Sequence, residues 1–317
     1  MQVGAIVVNW NDTEATARCV ESLLGNDPER VLPVVVDNAS LTDPSAYIAA
    51  RVPQARVLRL QTNRGYAAGC NAGAREALAL GATHLLFMNN DLETEPGAVG
   101  ALVEASRTYP DAILAPLVVR ADKPDLVWAA GAAVTLPWMD NWHLGRDDSR
   151  SSICSGQVDW APGCALFVNA ETWSQIGPLD ETYFLYLEDL DWCLGARLRK
   201  RSTRCVAEAV VRHVGSLTAQ RALTAADVHY YGCRNTHRLA WKHSRGPVRA
   251  WVGVTAAWSA LKAGLKAVMS SRGRNDPLHA ARLQALVDFL RGASGPSPLH
   301  LPKVTAVGSP GHVGPDA

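Results

Sequence analysis

The sequence has no uncharged apolar run of about 18 residues, the length a helix needs to cross a bilayer. In residues 228–275 the longest uncharged run, Ala250 to Leu261, is 12 residues. No basic segment precedes the first apolar run after Met1, so no secretory leader is expected. CxxC pairs and Cys/His clusters of zinc spacing are missing. The seven cysteines are widely spaced and odd in number, and most sit in apolar runs, which points to reduced, buried thiols. Charged residues make up only 19% and apolar residues 48%, which excludes global disorder. A formal charge of +1 excludes a uniformly basic nucleic-acid binder, and no nucleic-acid partner is expected. Acids are absent from one long segment. Residues 228–275 carry nine Lys or Arg and no Asp or Glu, whereas residues 1–227 carry 19 basic and 27 acidic residues. An acidic body therefore precedes a basic arm. At 317 residues the chain suits one large domain with an appendage, or two medium domains.

Within the first 120 residues, short apolar runs alternate with helical patterns. Val3 to Val8, Val31 to Val36, Arg56 to Leu60, His84 to Met88 and Ile113 to Val119 read as strands, most of them buried on both faces. Asn11 to Thr13 can cap the helix after the first strand. Residues 66–80 are Ala-rich and helical. This order predicts an α/β fold with a mostly parallel, doubly wound, Rossmann-like sheet. Such sheets bind ligands at the carboxyl ends of their strands. Polar residues fall at those ends: Asn9 and Asn11 after the first strand, Asp37-Asn38 after the second, and Asn89-Asn90-Asp91 after the fourth. One such cluster is explained by turn chemistry; three on one rim point to a binding site.

Residues 121–180 are less regular and hold five of the ten tryptophans, which read mostly as core or loop anchors. Further on, Phe184-Leu185-Tyr186-Leu187-Glu188-Asp189-Leu190-Asp191 opens a helix that ends in Arg197 to Arg201, and His213 closes the strand-like run that follows. Acids at a helix start and cations at its end fit the macrodipole, although three acids in four positions exceed what that needs.

Four segments together resemble the family 2 glycosyltransferases, and most closely their bacterial rhamnosyltransferase-type branch. They are Val7-Val8-Asn9-Trp10-Asn11, the run from Asn63 to Gly73, Asn89-Asn90-Asp91, and Phe184 to Asp191 with His213 downstream. The resemblance spans about residues 1–245. It implies the GT-A fold, an inverting mechanism, a nucleotide-diphosphate sugar donor with dTDP-rhamnose or a UDP-sugar leading, and Mg2+ or Mn2+ as cofactor. It also implies a hydroxyl acceptor on a cell-envelope glycan or lipid-linked glycan, and work at the cytoplasmic face of the cell membrane.

Residue by residue, Asp189 matches the family's catalytic base, and Glu188 precedes it as an acceptor- or loop-positioning acid. Its place at a helix start is expected to lower the pKa of Asp189. Asp91 matches the last acid of the Asp-x-Asp metal motif, and His213 the histidine that joins it. Asn89 stands where that motif has its first acid, which removes one charge from the metal site; Asn89 and Asn90 remain candidates for ribose or sugar hydroxyls. Asp37 matches the residue that contacts the nucleotide base, and can accept the N3–H of uracil or thymine. Asn9 and Asn11 line the same rim. Asn63, Arg64 and Gly65 are expected to floor the base and ribose, with Gly65 and Gly69 admitting the ligand closely and Asn71 holding the loop.

The expected domains are residues 1–225, the transferase body; 226–292, a basic amphipathic helical extension; and 293–317, a disordered tail rich in Gly, Pro and Ser. In the extension, Trp251, Val254, Trp258, Leu261, Leu265 and Val268 share one helical stripe, with Lys262 and Lys266 beside it. That pattern suits an anionic membrane surface as well as a helix packed on the body. A nicotinamide-dependent oxidoreductase on a similar sheet is disfavoured because Val8-Asn9-Trp10-Asn11 is not a GxGxxG turn. An inactive carbohydrate-binding homologue is disfavoured by the presence of Asp91, Asp189 and His213.

Overall fold

The structure is a computed structural model that describes residues 1–214, 223–269 and 276–298. Strands β1 (Val3–Asn9), β2 (Val31–Asp37), β3 (Arg56–Arg59) and β4 (His84–Asn89) form a parallel half-sheet in the order β3-β2-β1-β4. Helices α1 (Thr13–Asn26), α2 (Ser45–Arg51) and α3 (Tyr66–Ala79) connect them. The register aligns Asn9 with Asp37, Asp37 with Arg59, and Val8 with Asn89. It therefore sets the polar strand ends side by side on one rim, as the alternation predicts.

The second half departs from a simple βαβαβ reading. After β5 (Leu92–Thr94) and α4 (Ala98–Thr108), strand β6 (Ile113–Arg120) does not pair with β4. Strand β11 (Ala165–Asn169) lies between the two and is antiparallel to both. Its residues Ala165 to Val168 are a short continuous apolar run, as suits a strand buried on both faces, and its place between β4 and β6 is set by the tertiary fold. Strand β12 (Thr203–His213) extends the sheet parallel to β6, and β10 (Gly156–Val158) closes that edge. The irregular stretch between them contributes β7 (Val127–Ala129) beside β6, and a separate hairpin of β8 (Ala132–Thr135) and β9 (Asp140–His143). Helices α5 (Ala170–Ile176) and α6 (Glu188–Leu198) complete this half.

The two faces of the sheet carry separate cores. Ile6, Val34, Val36 and Cys70 fill the α3 side, while Val3, Val7, Cys19 and Leu102 fill the side of α1 and α4. Among the cysteines only Cys154 is exposed, and all seven are free thiols. Burial pushes Cys193 and Cys205 up to about 12, as expected of inert structural thiols.

The C-terminal helices are α7 (Ala225–His243), α8 (Gly246–Met269) and α9 (Pro277–Leu290). The expected boundary at residue 226 does not separate α7 from the body. Leu239 and Ala240 lie in the main core, and Asp191 of α6 accepts from Lys242 Nζ at 2.7 Å and His243 Nε2 at 2.8 Å. The expected tail is also corrected in part. Residues 293–298 lie over α7, with Arg234 Nη1 donating to the Gly295 carbonyl at 2.9 Å and the Ser297 amide donating to Tyr231 Oη at 2.7 Å. Residues 299–317 and the side chain of Val268 lie outside the described residues.

Candidate active site

At the first two strand ends the polar residues mostly hold one another. Asn9 is fully buried; its Nδ2 donates to Asp37 Oδ1 at 2.9 Å and its Oδ1 accepts from Thr16 Oγ1 at 2.8 Å. Asp37 is fully enclosed as well. Its carboxylate accepts from Asn9, from the Ser40 amide and from Ser40 Oγ, with Arg59 Nε at 3.5 Å. In this arrangement Asp37 braces the rim, and the expected open base-contacting carboxylate is not seen. Asn11, at φ +56°, accepts from the Leu41 amide and fixes the loop after β2. Asn38 takes no part in the expected site, yet it joins β2 to the glycine loop: Nδ2 donates to the Gly65 carbonyl and Oδ1 accepts from the Arg64 amide.

The glycine run packs against protein. Gly65 sits at φ +88°, and a Cβ there would lie 2.2 Å from the Phe184 carbonyl oxygen. A Cβ on Gly69 would meet Val8 at 3.0 Å, and one on Gly73 would meet Ile6 at 2.4 Å. Gly65 admits the backbone of the acidic loop, while Gly69 and Gly73 let α3 lie close on the sheet. Asn63 closes a local turn by accepting from the Gly65 amide at 2.9 Å. Arg64 pairs with Glu181 at 2.6 Å in an exposed setting, where such pairs contribute little. Asn71 faces away from the rim. It exchanges hydrogen bonds with Leu179 and donates to Glu181, so it holds the segment ahead of the acidic loop.

That loop reaches α6 through Tyr186 at φ +68° and Leu187 at φ +70°. Two consecutive non-glycine residues in the left-handed region are strained and persist only where surroundings impose them. Buried Asn235 of α7 imposes them, its Nδ2 donating to the carbonyls of Leu185 at 2.8 Å and Tyr186 at 2.9 Å. The Tyr66 amide adds a bond to the Phe184 carbonyl at 2.8 Å. Tyr66 belongs to the run from Asn63 to Gly73, whereas Asn235 carries no motif and lies 49 residues from the loop it holds.

Asp189 follows. Its Oδ2 accepts from the Gly163 amide at 2.5 Å and its Oδ1 from the Leu190 amide at 2.7 Å. A Cβ at Gly163 would lie 2.9 Å from Asp189 Cβ, so only glycine lets this amide reach the carboxylate. The Gly163 carbonyl is held in turn by Tyr66 Oη at 2.8 Å. Burial raises the Asp189 carboxyl to about 6, against the lowering effect of these backbone donors. The expected depression is therefore corrected, because desolvation outweighs the helix start. A base poised near neutrality suits proton transfer. Glu188 turns inward, 5% exposed, into a small cavity lined by Tyr66, Cys70, Phe87, Trp173 and Leu179. Its Oε2 is buried without a hydrogen-bond partner. Burial, then the neighbouring Asp189, raise its carboxyl to about 8. Burial disfavours the charged form of Glu188 more than that of Asp189, which keeps its backbone donors.

Strand pairing brings Asp91 and His213 together. His213 at the end of β12 pairs with Leu92 of β5, and the Val214 amide donates to the Asp91 carbonyl. Asp91 Oδ2 lies 3.6 Å from His213 Nε2, while its Oδ1 is buried with no hydrogen-bond partner. Desolvation raises the Asp91 carboxyl, and His213 partly offsets it. Trp128 stacks on His213 with centroids 4.6 Å apart and planes 10° apart, and carries His143 against it at 4.3 Å. Burial, Arg146 and His213 lower His143 to about 4, which keeps it neutral. Of the five tryptophans in residues 121–180, Trp128 is the one stacked on this pair. An unpartnered, buried carboxylate oxygen beside an imidazole suits a divalent ion. Among the described residues no group of three or more His, Cys, Asp or Glu could hold a metal. The remaining coordination would come from water and phosphate oxygens, as is usual for Mg2+. Asn90 donates to Thr16 Oγ1 at 3.2 Å and braces α1, and the Asn89 amide donates to the Cys164 carbonyl.

The doubly wound sheet with its acids gathered at the strand ends is that of a GT-A transferase. Glycosyl transferase family 2 matches residues 5–167. The chain belongs to that family. It is 28% identical over 255 residues to the N-acetylglucosaminyl-diphospho-decaprenol L-rhamnosyltransferase of Mycobacterium tuberculosis (strain ATCC 25618 / H37Rv), covering 72% of this chain and 81% of that one. Over 175 residues it is 25% identical to the low-salt glycan biosynthesis hexosyltransferase Agl10 of Haloferax volcanii, covering 52% of each. Among solved structures, GalNAc-T7 with UDP, GalNAc and Mn2+ superposes with a TM-score of 0.62 at 14% identity, over 92% of this chain and 56% of that one. S. aureus TarS 1-349 superposes with a TM-score of 0.53 at 14% identity, over 92% and 81%. These two likenesses show the fold alone. Membership of the family sets aside the nicotinamide-dependent reading.

Proposed function

We propose that the enzyme is an inverting glycosyltransferase that moves a sugar, with rhamnose from dTDP-rhamnose leading and a UDP-sugar second, onto a hydroxyl of a lipid-linked cell-envelope glycan. The observation that carries the reading is the Asp189 carboxylate, fixed by the Gly163 and Leu190 amides and raised towards neutrality. The rhamnosyltransferase relative, whose name gives a diphospho-decaprenol-linked N-acetylglucosamine, supports the sugar and the acceptor class.

In this reading Asp189 takes the proton of the acceptor hydroxyl. The freed oxygen attacks the anomeric carbon from the side opposite the diphosphate. The carbon–oxygen bond to the nucleotide breaks, and its electron pair stays on the β-phosphate. Asp91 and His213 would hold Mg2+ or Mn2+, which when bound neutralises charge on the diphosphate. Glu188 fills the cavity beneath the acidic loop and positions it. Asn89, on the rim, faces the donor's ribose or sugar, while Asn9, Asn11, Asp37, Asn63 and Asn90 keep the rim in shape. Residues 1–243 form the transferase body and residues 246–292 the extension. Among the described residues no helix is long and apolar enough to cross a membrane. The enzyme works as a peripheral protein at the cytoplasmic membrane face.

The test is transfer by purified protein from dTDP-rhamnose and from UDP-sugars to a short-chain lipid-diphosphate N-acetylglucosamine, with the product mass read by mass spectrometry and its anomeric configuration by NMR. The expected product gains one deoxyhexose from dTDP-rhamnose with inverted anomeric configuration. Retention of configuration, or no transfer from either donor class, overturns the reading.

A further inference from the structure

Helix α8 has two unlike faces. Val252, Ala256 and Ala263 are buried towards α7 and α9. Gly253 sits against Trp241, where a Cβ would lie 2.9 Å from the indole, and His279 of α9 meets the Ala263 carbonyl at 2.8 Å. The outer face presents Trp251, Val254, Trp258, Leu261 and Leu265, each between 51% and 59% exposed. These five follow one another at spacings of three and four residues, a continuous ridge about 21 Å long at 1.5 Å per residue. The sequence leaves the packed-helix and membrane-surface readings level for this stripe. The structure separates them, because the small residues pack and the large apolar residues face outward.

Contiguous exposed apolar surface of this kind marks an interaction site. Charge selects its occupant. No acid occurs from Gly246 to Met269, while Lys262 and Lys266 lie beside the ridge on the helix wheel. Lys262 Nζ stands 5.1 Å above the Trp258 ring, so a cation sits on the aromatic part of the ridge. A second copy of this chain docked on the ridge would bring two such cationic helices together with no carboxylate on either to pair them. An anionic lipid surface offers both a negative plane for the cations and an apolar layer for the ridge.

We propose that the outer face of α8 is the membrane-docking surface of the enzyme, lying in the plane of an anionic leaflet with Trp251 and Trp258 at headgroup depth. The inference deepens the proposed transfer to a lipid-linked acceptor, and rests on that reading for its purpose. Helix α7, on which α8 packs, also holds the acidic loop through Asn235, so a docked α8 and the base-bearing loop share one support.

The test is flotation of the full chain with phosphatidylcholine vesicles and with vesicles in which part of that lipid is replaced by phosphatidylglycerol. Binding to the anionic vesicles should be at least about tenfold stronger and should fall in high salt. The double variant Lys262→Glu/Lys266→Glu should lose at least about tenfold in binding, and Trp251→Ala/Trp258→Ala should lose binding together with the blue shift of tryptophan emission. Both variants should keep transfer to a water-soluble short-chain acceptor within about twofold, since none of these side chains touches the site. Absent flotation on anionic vesicles overturns the proposal, as does binding that survives both variants. A dimer in light scattering that Trp258→Glu dissolves also overturns it, in favour of a second copy. Failed flotation with intact soluble transfer leaves the proposed function standing; flotation without transfer from any donor does the reverse.

Discussion

Two adjacent carboxyls, Glu188 and Asp189, differ in what they face. Asp189 meets two backbone amides at the helix start, whereas Glu188 faces a cavity with an unpartnered oxygen. Replacing Asp189 by Asn should lower kcat by ~10²-fold or more and leave the donor KM nearly unchanged, since the base acts on the acceptor. Steady-state kinetics check this, and a kcat above about a tenth of wild type removes Asp189 from the role of base. Because the base works ionised, kcat should rise with pH through about 6 in the wild type. Glu188→Gln should cost less than about tenfold, because burial already favours the protonated form of the wild-type side chain. The same change reports on stability. A carboxyl raised in the folded state from 4.5 to about 8 gives stability that is fully present below 4.5 and is lost as pH rises to about 8. Thermal melts of Glu188→Gln should therefore decline less with pH across that window; parallel wild-type and variant curves would show that Glu188 stays ionised. Asp91→Ala should weaken both Mn2+ binding and donor binding by calorimetry. Unchanged Mn2+ affinity would move the metal away from the Asp91 and His213 pair.

Elements in this protein depend on distant ones for their geometry. The strained turn before α6 is held by Asn235 of α7, and α6 is tied to the end of α7 by Asp191 with Lys242 and His243. Asn235→Ala should therefore lower kcat more than it raises the donor KM, because it frees the loop that carries Asp189 and leaves the nucleotide rim alone. An equal loss in the donor KM would place Asn235 in donor binding. Residues 293–298 in turn lie over α7. Arg234 is fully buried, and the Gly295 carbonyl is one of its few acceptors. Deleting residues 293–317 should cost about 1–3 kcal/mol in a denaturant melt, the usual penalty for a buried donor left without its partner. A truncated protein as stable as the full chain would show that water replaces the strap.

At the scale of the whole molecule, sequence and tertiary structure decided different things. Alternating apolar runs and capped helices are local signals, and they determined the parallel half-sheet and the rim where Asn9, Asp37 and Asn89 align. The four ordered motifs determined the family. The amphipathic stripe on residues 251–265 was legible as a period, although the period does not say which face packs. Three-dimensional packing decided the rest. The antiparallel place of strand β11 between β4 and β6 is set by packing, and α7 joins the body through partners such as Leu185, Tyr186 and Asp191 that lie far from it in sequence. At Gly65 the carbonyl of Phe184 leaves no room for a side chain. The Asp189 carboxyl, read as depressed by its helix, is raised because burial outweighs two amide donors. Motif positions follow from the order of residues along the chain. What those residues face, and hence their charge state, follows from segments that meet only after folding, because desolvation and hydrogen bonding depend on all the neighbours at once.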